Sequence, residues 1–381
     1  MIQLRRHNIR WEVAPGCRQL LDKIIADPGH AIKQTHAKLV TRHQINGRTY
    51  YVKRYINAGV GLRPLKFFFK QSDARKEWAI AQRYGALGIP LVTHIAVGEC
   101  WTLTGLQESL IVTEGFDGLS LSRSGRDQRR DVQAAVGQML RHMHDVGVLQ
   151  PDLHHNILVR IDPVELRRVD VDRGELKAAL TDAERVDNLA WLDVSVPLSD
   201  AFFAAYGASP EFIHQVKQRS AVMRCESRAQ YSWRSVGNNL RFAPMKFGGH
   251  TWHVRKEFLS DQLRRVLEHP DQPTEPFDVR RFATAGRFRS VALRAYRTAY
   301  HLELLGIPTP RPIAGARHYC VTERVAGKLC PPDAVLMEKL QREGFTFDGE
   351  VGDDVCLATD DGRVLVARVD RLKFQMPTQS R

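Results

Sequence analysis

Gln150-Pro-Asp-Leu-His-His-Asn156 places an acid at 152 and an amide at 156, between a long amphipathic helix and a short apolar strand. Upstream, Val132, Val136, Met139, Leu140, Met143 and Val146 recur at the steps of one helical face, and Gly147 ends that helix and opens a loop. Downstream, Ile157 to Val159 and Val169 to Val171 read as short strands, with Asp170 inside Val-Asp-Val-Asp, and Asp182 to Trp191 resumes helical spacing.

The chain before this helix reads differently. Lys38 to Val52 alternates polar and apolar residues around Asn46-Gly47, the pair that supplies the positive φ angles of a tight hairpin. Arg75 to Leu87 has helical spacing and stops at Gly88-Ile-Pro90, where glycine can cap and proline cannot continue. Further strands are expected near Leu91 to Val97 and Ser109 to Thr113. A small antiparallel-sheet lobe followed by a helical lobe is therefore expected, an α+β arrangement.

Five charged or polar groups fall at spacings that carry one chemistry. Lys53 ends the second hairpin strand in Tyr-Tyr-Val-Lys, and Glu77 on the next helix can pair with it. Asp152 and Asn156 stand in a D-x-x-x-N spacing, and Asp170 ends the strand that follows. Phosphoryl transfer from ATP needs a cation on the phosphates, a carboxylate holding that cation, a base beside the acceptor hydroxyl and oxygen ligands for magnesium. These residues supply all four.

Y-V-K-R-Y, R-K-E-W with L-G-I-P, P-D-L-H-H-N-I-L-V, V-D-V-D-R and R-V-D-N-L-A, in that order over roughly residues 30 to 200, resemble the lipopolysaccharide Kdo/heptose kinase family. The resemblance implies a bilobal protein-kinase-like fold and transfer from ATP, with Mg2+, to a hydroxyl of an inner-core sugar. By it Lys53 contacts the ATP phosphates, Glu77 orients Lys53, Asp152 is the catalytic base, Asn156 and Asp170 hold magnesium, and Glu114 lies at the hinge facing the adenine. The chain departs from the kinase pattern at three places. Gln150 stands where kinases commonly carry a histidine, Lys38 to Tyr50 contains no G-x-G-x-x-G, and Asp172 competes with Asp170 for the metal. A soluble acceptor such as an aminoglycoside, a choline-like alcohol or a protein hydroxyl would use the same residues, and a nucleotide-holding scaffold without turnover is the reading from another class.

Composition sets the surroundings. The 381 residues exceed one typical core, so two domains are expected, at 1–245 and 246–381. The net charge of +13 draws the protein toward polyanions, here the anionic inner-membrane surface and a lipopolysaccharide core glycolipid or other anionic acceptor; no nucleic-acid module is present. No apolar stretch is long enough to span a bilayer and no signal core follows the N-terminal charges, so a cytoplasmic protein, peripheral at the inner membrane, is expected. Six scattered cysteines without a C-x-x-C pair read as reduced thiols, and His142, His144, His154 and His155 as surface or core residues.

The chain also repeats itself. Ala74 to Ala96 aligns without gaps to Ala292 to Ala314, sharing Leu-Gly-Ile-Pro and Ile-Ala. Trp11 with Trp252, Val52 with Val279, the Val-Thr-Glu ending at Glu114 with that ending at Glu323, and Gly147 with Gly344 follow in the same order at steadily shrinking separation. A second, truncated kinase-like copy is expected over 246–381. It has lost its chemistry, because Arg280 stands for Lys53 and Ala295 for Glu77, and Arg368 stands for Asp170 when Asp370-Arg371 is matched to Asp172-Arg173.

Overall fold

A computed structural model describes residues 1–57, 63–123, 129–272, 275–283 and 290–375. The chain divides into two compact units, Met1–Ser220 and Ala221–Arg381.

The first unit opens with β1 (Ile2–Arg6), β2 (Ile9–Val13), α1 (Arg18–Ala26), β3 (His30–Gln34), β4 (Lys38–Ile45) and β5 (Arg48–Ile56). Asn46 at φ 52° and Gly47 at φ 77° turn β4 into β5, so that Lys38 pairs with Tyr55 and Ile45 with Arg48. Next come α2 (Asp73–Ala86), β6 (His94–Thr102) and β7 (Gly105–Glu114). Ser72 caps α2 by accepting from the Arg75 N–H at 3.1 Å. The seven strands form one antiparallel sheet in the order β1-β2-β6-β7-β5-β4-β3.

Alternation along these strands assigns each face a helix. Trp11, Val13, Ala96 and Val112 pack with Leu21 and Ile24 of α1, whereas Val97 and Ile111 pack with Ala74 and Trp78 of α2. Lys53 of β5 lies directly opposite Ile111 in the ladder, which puts it on the α2 face.

The rest of the unit is mainly helical: β8 (Leu119–Ser120), α3 (Arg130–Asp145), β9 (Val148–Leu149), α4 (Leu153–Asn156), β10 (Ile157–Arg160), β11 (Glu165–Arg168), β12 (Glu175–Leu176), α5 (Asp182–Ser195), α6 (Asp200–Tyr206) and the start of α7 (Pro210–Ser232). The predicted apolar face of α3 is its core face, with Val132, Val136, Leu140 and Met143 buried against Leu189, Leu192, Phe202 and Tyr206. Gly147 ends α3 at φ 77°, and a side chain there would meet the Lys177 carbonyl at 1.9 Å, so only glycine fits.

Two strand expectations shift. The strand expected from Leu91 begins at His94, because Pro90 and Val92 exchange backbone hydrogen bonds with Arg168 instead. The strand expected at Val169–Val171 ends at Arg168, since Asp170 adopts a left-handed φ of 50° and starts a 3-10 turn over Val171–Arg173.

In the second unit, β13 (Phe242–Phe247), β14 (His250–Arg255), α8 (Asp261–Glu268), β15 (Phe277–Arg281), α9 (Val291–Leu304), β16 (Pro312–Gly315) and β17 (Tyr319–Glu323) come in chain order. Their antiparallel sheet runs β13-β14-β16-β17-β15. Trp252, Val254, Leu263, Leu267 and Val321 form its core, and a second cluster joins Ala299 and Leu302 of α9 to Leu336, Leu340 and Phe345. Val369–Arg371 forms a 3-10 turn with the same Val-Asp-Arg sequence as Val171–Arg173.

Among the described residues no helix is long and apolar enough to cross a membrane. All six cysteines are free thiols.

Candidate active site

Lys53, Glu77 and Asp170 meet on the α2 face of the sheet. Lys53 Nζ donates to Glu77 Oε1 at 2.8 Å and also bonds Asp170 Oδ1. Glu77 is buried with its partner, so each charge depends on the other for the solvation that water no longer gives. Burial alone would push the Glu77 carboxyl up, but the Lys53 ammonium, with His94 beside it, brings it down to about 2. Burial alone would lower Lys53, yet Glu77 and Asp170 together hold its pKa well above the ordinary lysine value. The site therefore holds the Lys53 ammonium fixed between Glu77 and Asp170.

Two flanking groups were not singled out in the sequence. Tyr55 donates its hydroxyl to Glu77 Oε2 at 3.4 Å, and burial followed by Glu77 pushes its pKa far up, so it stays neutral. It lies two residues beyond Lys53, hence on the same strand face, and that period was the available signal. His94 Nε2 stands 3.7 Å from Glu77 Oε1, beyond hydrogen-bond length. Nothing in the local sequence marked it.

Asp152 and Asn156 lie on the loop between β9 and β10. Asp152 adopts φ 56°, a conformation that aspartate tolerates better than most residues and that turns the chain sharply into α4. Its Oδ2 accepts from Arg173 Nη1 at 3.2 Å, which ties this loop to the Val171–Arg173 turn. Asn156 is held through its backbone, its N–H donating to the Asp152 carbonyl at 3.3 Å and its carbonyl accepting from Val169 at 3.0 Å. Asp170 and Asn156 present oxygen donors, the chemistry magnesium prefers when substrate phosphates and water complete its shell, so this pair fits such an ion.

Gln150 is fully buried beneath both loops. Its Nε2 donates to the Asp170 carbonyl at 3.5 Å, and its own carbonyl accepts from Asn188 Nδ2 at 3.0 Å. Asn188 Oδ1 in turn accepts from His144 Nε2 at 3.0 Å, and Tyr206 donates to His144 Nδ1 at 2.7 Å. Burial pushes His144 down to about 4, so the ring is neutral and structural. Asn188, quoted in R-V-D-N-L-A but given no role, thus connects α5 to the acid-bearing loop. The departure at Gln150 leaves a brace rather than a gap, because an amide donor reaches the Asp170 backbone. The other three histidines singled out in the sequence also have partners: His142 bonds the Leu87 carbonyl at 2.8 Å, and His155 bonds Ser122 at 3.1 Å and lies tilted against the His154 ring.

Glu114 is not part of this cluster. It ends β7, with its carboxylate accepting from Arg48 Nη1 at 3.3 Å and its N–H donating to the Thr93 carbonyl at 2.8 Å. An open cleft lined by Glu114, Gly115, Phe116, Asp117, Arg160 and Arg167 lies there. Between Asp170 and Asp172 the geometry distinguishes partners: Asp170 touches Lys53, whereas burial, Glu77 and Asp170 push the half-buried Asp172 carboxyl up.

Similar solved structures include WaaP in complex with acyl carrier protein, at 22% identity over 55% of this chain and 98% of that chain with a TM-score of 0.41. A spectinomycin phosphotransferase, APH(9)-Ia, in complex with ADP and spectinomycin matches at 11% identity over 58% and 89%, TM-score 0.39. An aminoglycoside-3'-phosphotransferase of type VIII matches at 18% identity over 56% and 98%, TM-score 0.36. No curated protein matches the chain. Residues 29–208, just under half of the chain and spanning all the residues of this site, match the model of the Lipopolysaccharide kinase (Kdo/WaaP) family.

Proposed function

We propose that the first unit transfers the γ-phosphoryl group of ATP to a hydroxyl of a lipopolysaccharide inner-core sugar. The observation that carries this reading is the Lys53 ammonium fixed between Glu77 and Asp170, inside the span that matches a lipopolysaccharide kinase family. Lys53 neutralises phosphate charge, and Glu77 holds it extended for that purpose. Asp152 accepts the proton of the acceptor hydroxyl through Oδ1, while Arg173 orients the carboxylate through Oδ2. Asp170 and Asn156 would hold magnesium, which when bound supplies charge neutralisation at the β- and γ-phosphates. Glu114, at the end of β7, borders the cleft where the adenine would lie.

The second unit is read as a truncated, chemically silent copy. Its sheet order β13-β14-β16-β17-β15 parallels β1-β2-β6-β7-β5, with a buried tryptophan in the second strand of each. In place of a lysine ammonium, the Arg280 guanidinium donates to the Ala367 carbonyl at 3.0 Å and lies 3.5 Å from Asp278 and 4.0 Å from Asp370. The helix position facing it carries Ala295, beside Cys320 and Val369. That surrounding offers a nucleotide no lysine clamp, and both oxygens of the Asp370 carboxylate already accept from Arg368 at 3.2 Å. The reading is tested by a thermal-shift titration with ATP and magnesium, followed by transfer of labelled phosphate to inner-core glycolipids; absence of both responses contradicts it.

A further inference from the structure

Residues Leu65-Lys-Phe-Phe-Phe-Lys70 form a second point of interest, far from the Lys53 cluster along the strands. The segment follows β5 as a 3-10 turn over Arg63–Phe68, and only one of its three phenylalanines is buried. Phe67 is buried, whereas Leu65 and Phe68 are exposed and Phe69 is 95% exposed. Beside them stands the β6–β7 turn, whose tip residue Leu103 is fully exposed. The two segments are in direct contact. Gly105 approaches so closely that a side chain there would meet the Pro64 carbonyl at 2.4 Å, and the rings of Phe68 and Trp101 are 5.6 Å apart.

Leu103 is held outward by its own turn. Gln107 Nε2 donates to Thr102 Oγ1 at 2.9 Å and to Thr104 Oγ1 at 3.0 Å, which fixes the residues on either side of it. Leu65, Phe68, Phe69 and Leu103 gather on two touching segments, and an exposed apolar patch of this kind marks a surface with a partner. The flanking charge says which kind. Lys66 and Lys70 are exposed and make no ion pair among the described residues. Exposed phenylalanine and leucine tips flanked by exposed lysines, one of them lying over the Phe67 ring at 4.7 Å, match the interface between anionic head groups and acyl chains: the rings enter the apolar boundary while the ammonium groups stay at the phosphate level.

We infer that Leu65, Phe68, Phe69 and Leu103, with Lys66 and Lys70, insert into the surface of an anionic phospholipid bilayer. Leu103 lies at the start of β7's hairpin and Glu114 at its far end, so the attachment point and the hinge end of the sheet are about 30 Å apart along the strand. Lys53 pairs with Ile111, six residues along β7 from Gly105, so insertion at the turn keeps the phosphate-side cluster about 20 Å from the attachment point. The choice of membrane agrees with, and in naming the purpose rests on, the reading of a membrane glycolipid as acceptor.

The test is co-sedimentation of the full-length protein with phosphatidylcholine vesicles, with and without one-third phosphatidylglycerol. The wild-type chain is expected to partition onto the anionic vesicles about tenfold better than onto the neutral ones, and Phe69→Ser/Leu103→Ser to lose about tenfold of that partition at unchanged melting temperature. Lys66→Glu/Lys70→Glu should remove the preference for phosphatidylglycerol. Equal binding by the Ser variant and the wild type would overturn the inference, as would absence of wild-type binding. So would a wild-type dimer that the Ser variant turns into a monomer without any vesicle binding, since the patch would then meet a second copy of the chain. The magnesium-ATP thermal shift, measured on the same samples, separates this from the phosphotransfer reading: its loss with vesicle binding intact faults only the latter.

Discussion

Lys53 Nζ stands 2.8 Å from Glu77 Oε1, and the two residues come from the central part of the sheet and from the helix packed on it. Both side chains are removed from water, the glutamate almost completely. The pair therefore couples the stability of the first unit to the position of the group read as the phosphate clamp. Glu77→Ala should destabilise the first unit by about 3–5 kcal/mol, because it strands a buried ammonium that Asp170 alone must balance. Urea denaturation followed by a probe confined to the first unit measures this, and ATP affinity should fall in the same variant. A loss under ~0.5 kcal/mol would mean that water or Asp170 already satisfies Lys53.

Stability should fall with acid in two separable windows. His144 has a folded pKa of about 4 against an ordinary 6.5, so the unfolded chain takes up the proton first, and stability present above pH 6.5 is lost as pH falls toward 4. Glu77 has a folded pKa of about 2 against an ordinary 4.5, so its contribution is present above 4.5 and is lost as pH falls toward 2. Each group gives a slope of at most ~1.4 kcal/mol per pH unit. His144→Gln should flatten the upper window and leave the lower one, and Glu77→Gln the reverse. Urea midpoints recorded across both windows decide, and a His144→Gln chain with the wild-type slope above pH 4 would reject the assignment.

Asp170→Asn should weaken magnesium-dependent ATP binding and turnover together, since a neutral amide is a poorer magnesium ligand than a carboxylate. Asp172→Asn should have the smaller effect on metal dependence, because Asp170 and not Asp172 bonds the clamp lysine. Titration of ATP binding against magnesium in the two variants separates them. A larger loss in Asp172→Asn would reverse the roles.

Much of this arrangement was legible because local rules carry it. Asn46-Gly47 dictated the β4–β5 hairpin, the spacing from Val132 to Met143 dictated the buried face of α3, and once Lys53 lies opposite Ile111 its side chain must face α2. What stayed hidden depends on contacts between distant segments. His94 reaches Glu77 only after β6 enters the sheet, and Asn188 reaches Gln150 only after α5 folds back over the loop. Asp170 was expected inside a strand, but it takes a left-handed conformation after the strand has ended at Arg168, one that aspartate tolerates but that the flanking valines mask. Glu114 was grouped with the site by resemblance alone, and its side chain faces Arg48 at the rim.

The most direct measurement is transfer of labelled phosphate from ATP to an inner-core lipopolysaccharide acceptor by the full-length chain, with two variants alongside. Asp152→Asn removes the proposed base while Arg173 keeps a hydrogen-bonding partner, and it should lower turnover by about 10²-fold or more at unchanged melting temperature. Arg280→Ala alters the corresponding position of the second unit, where the guanidinium is bonded to the Ala367 carbonyl, and it should leave turnover within about twofold of wild type. Transfer that survives Asp152→Asn and is lost in Arg280→Ala would contradict the account, as would a wild-type chain that binds magnesium-ATP and transfers nothing to any inner-core acceptor.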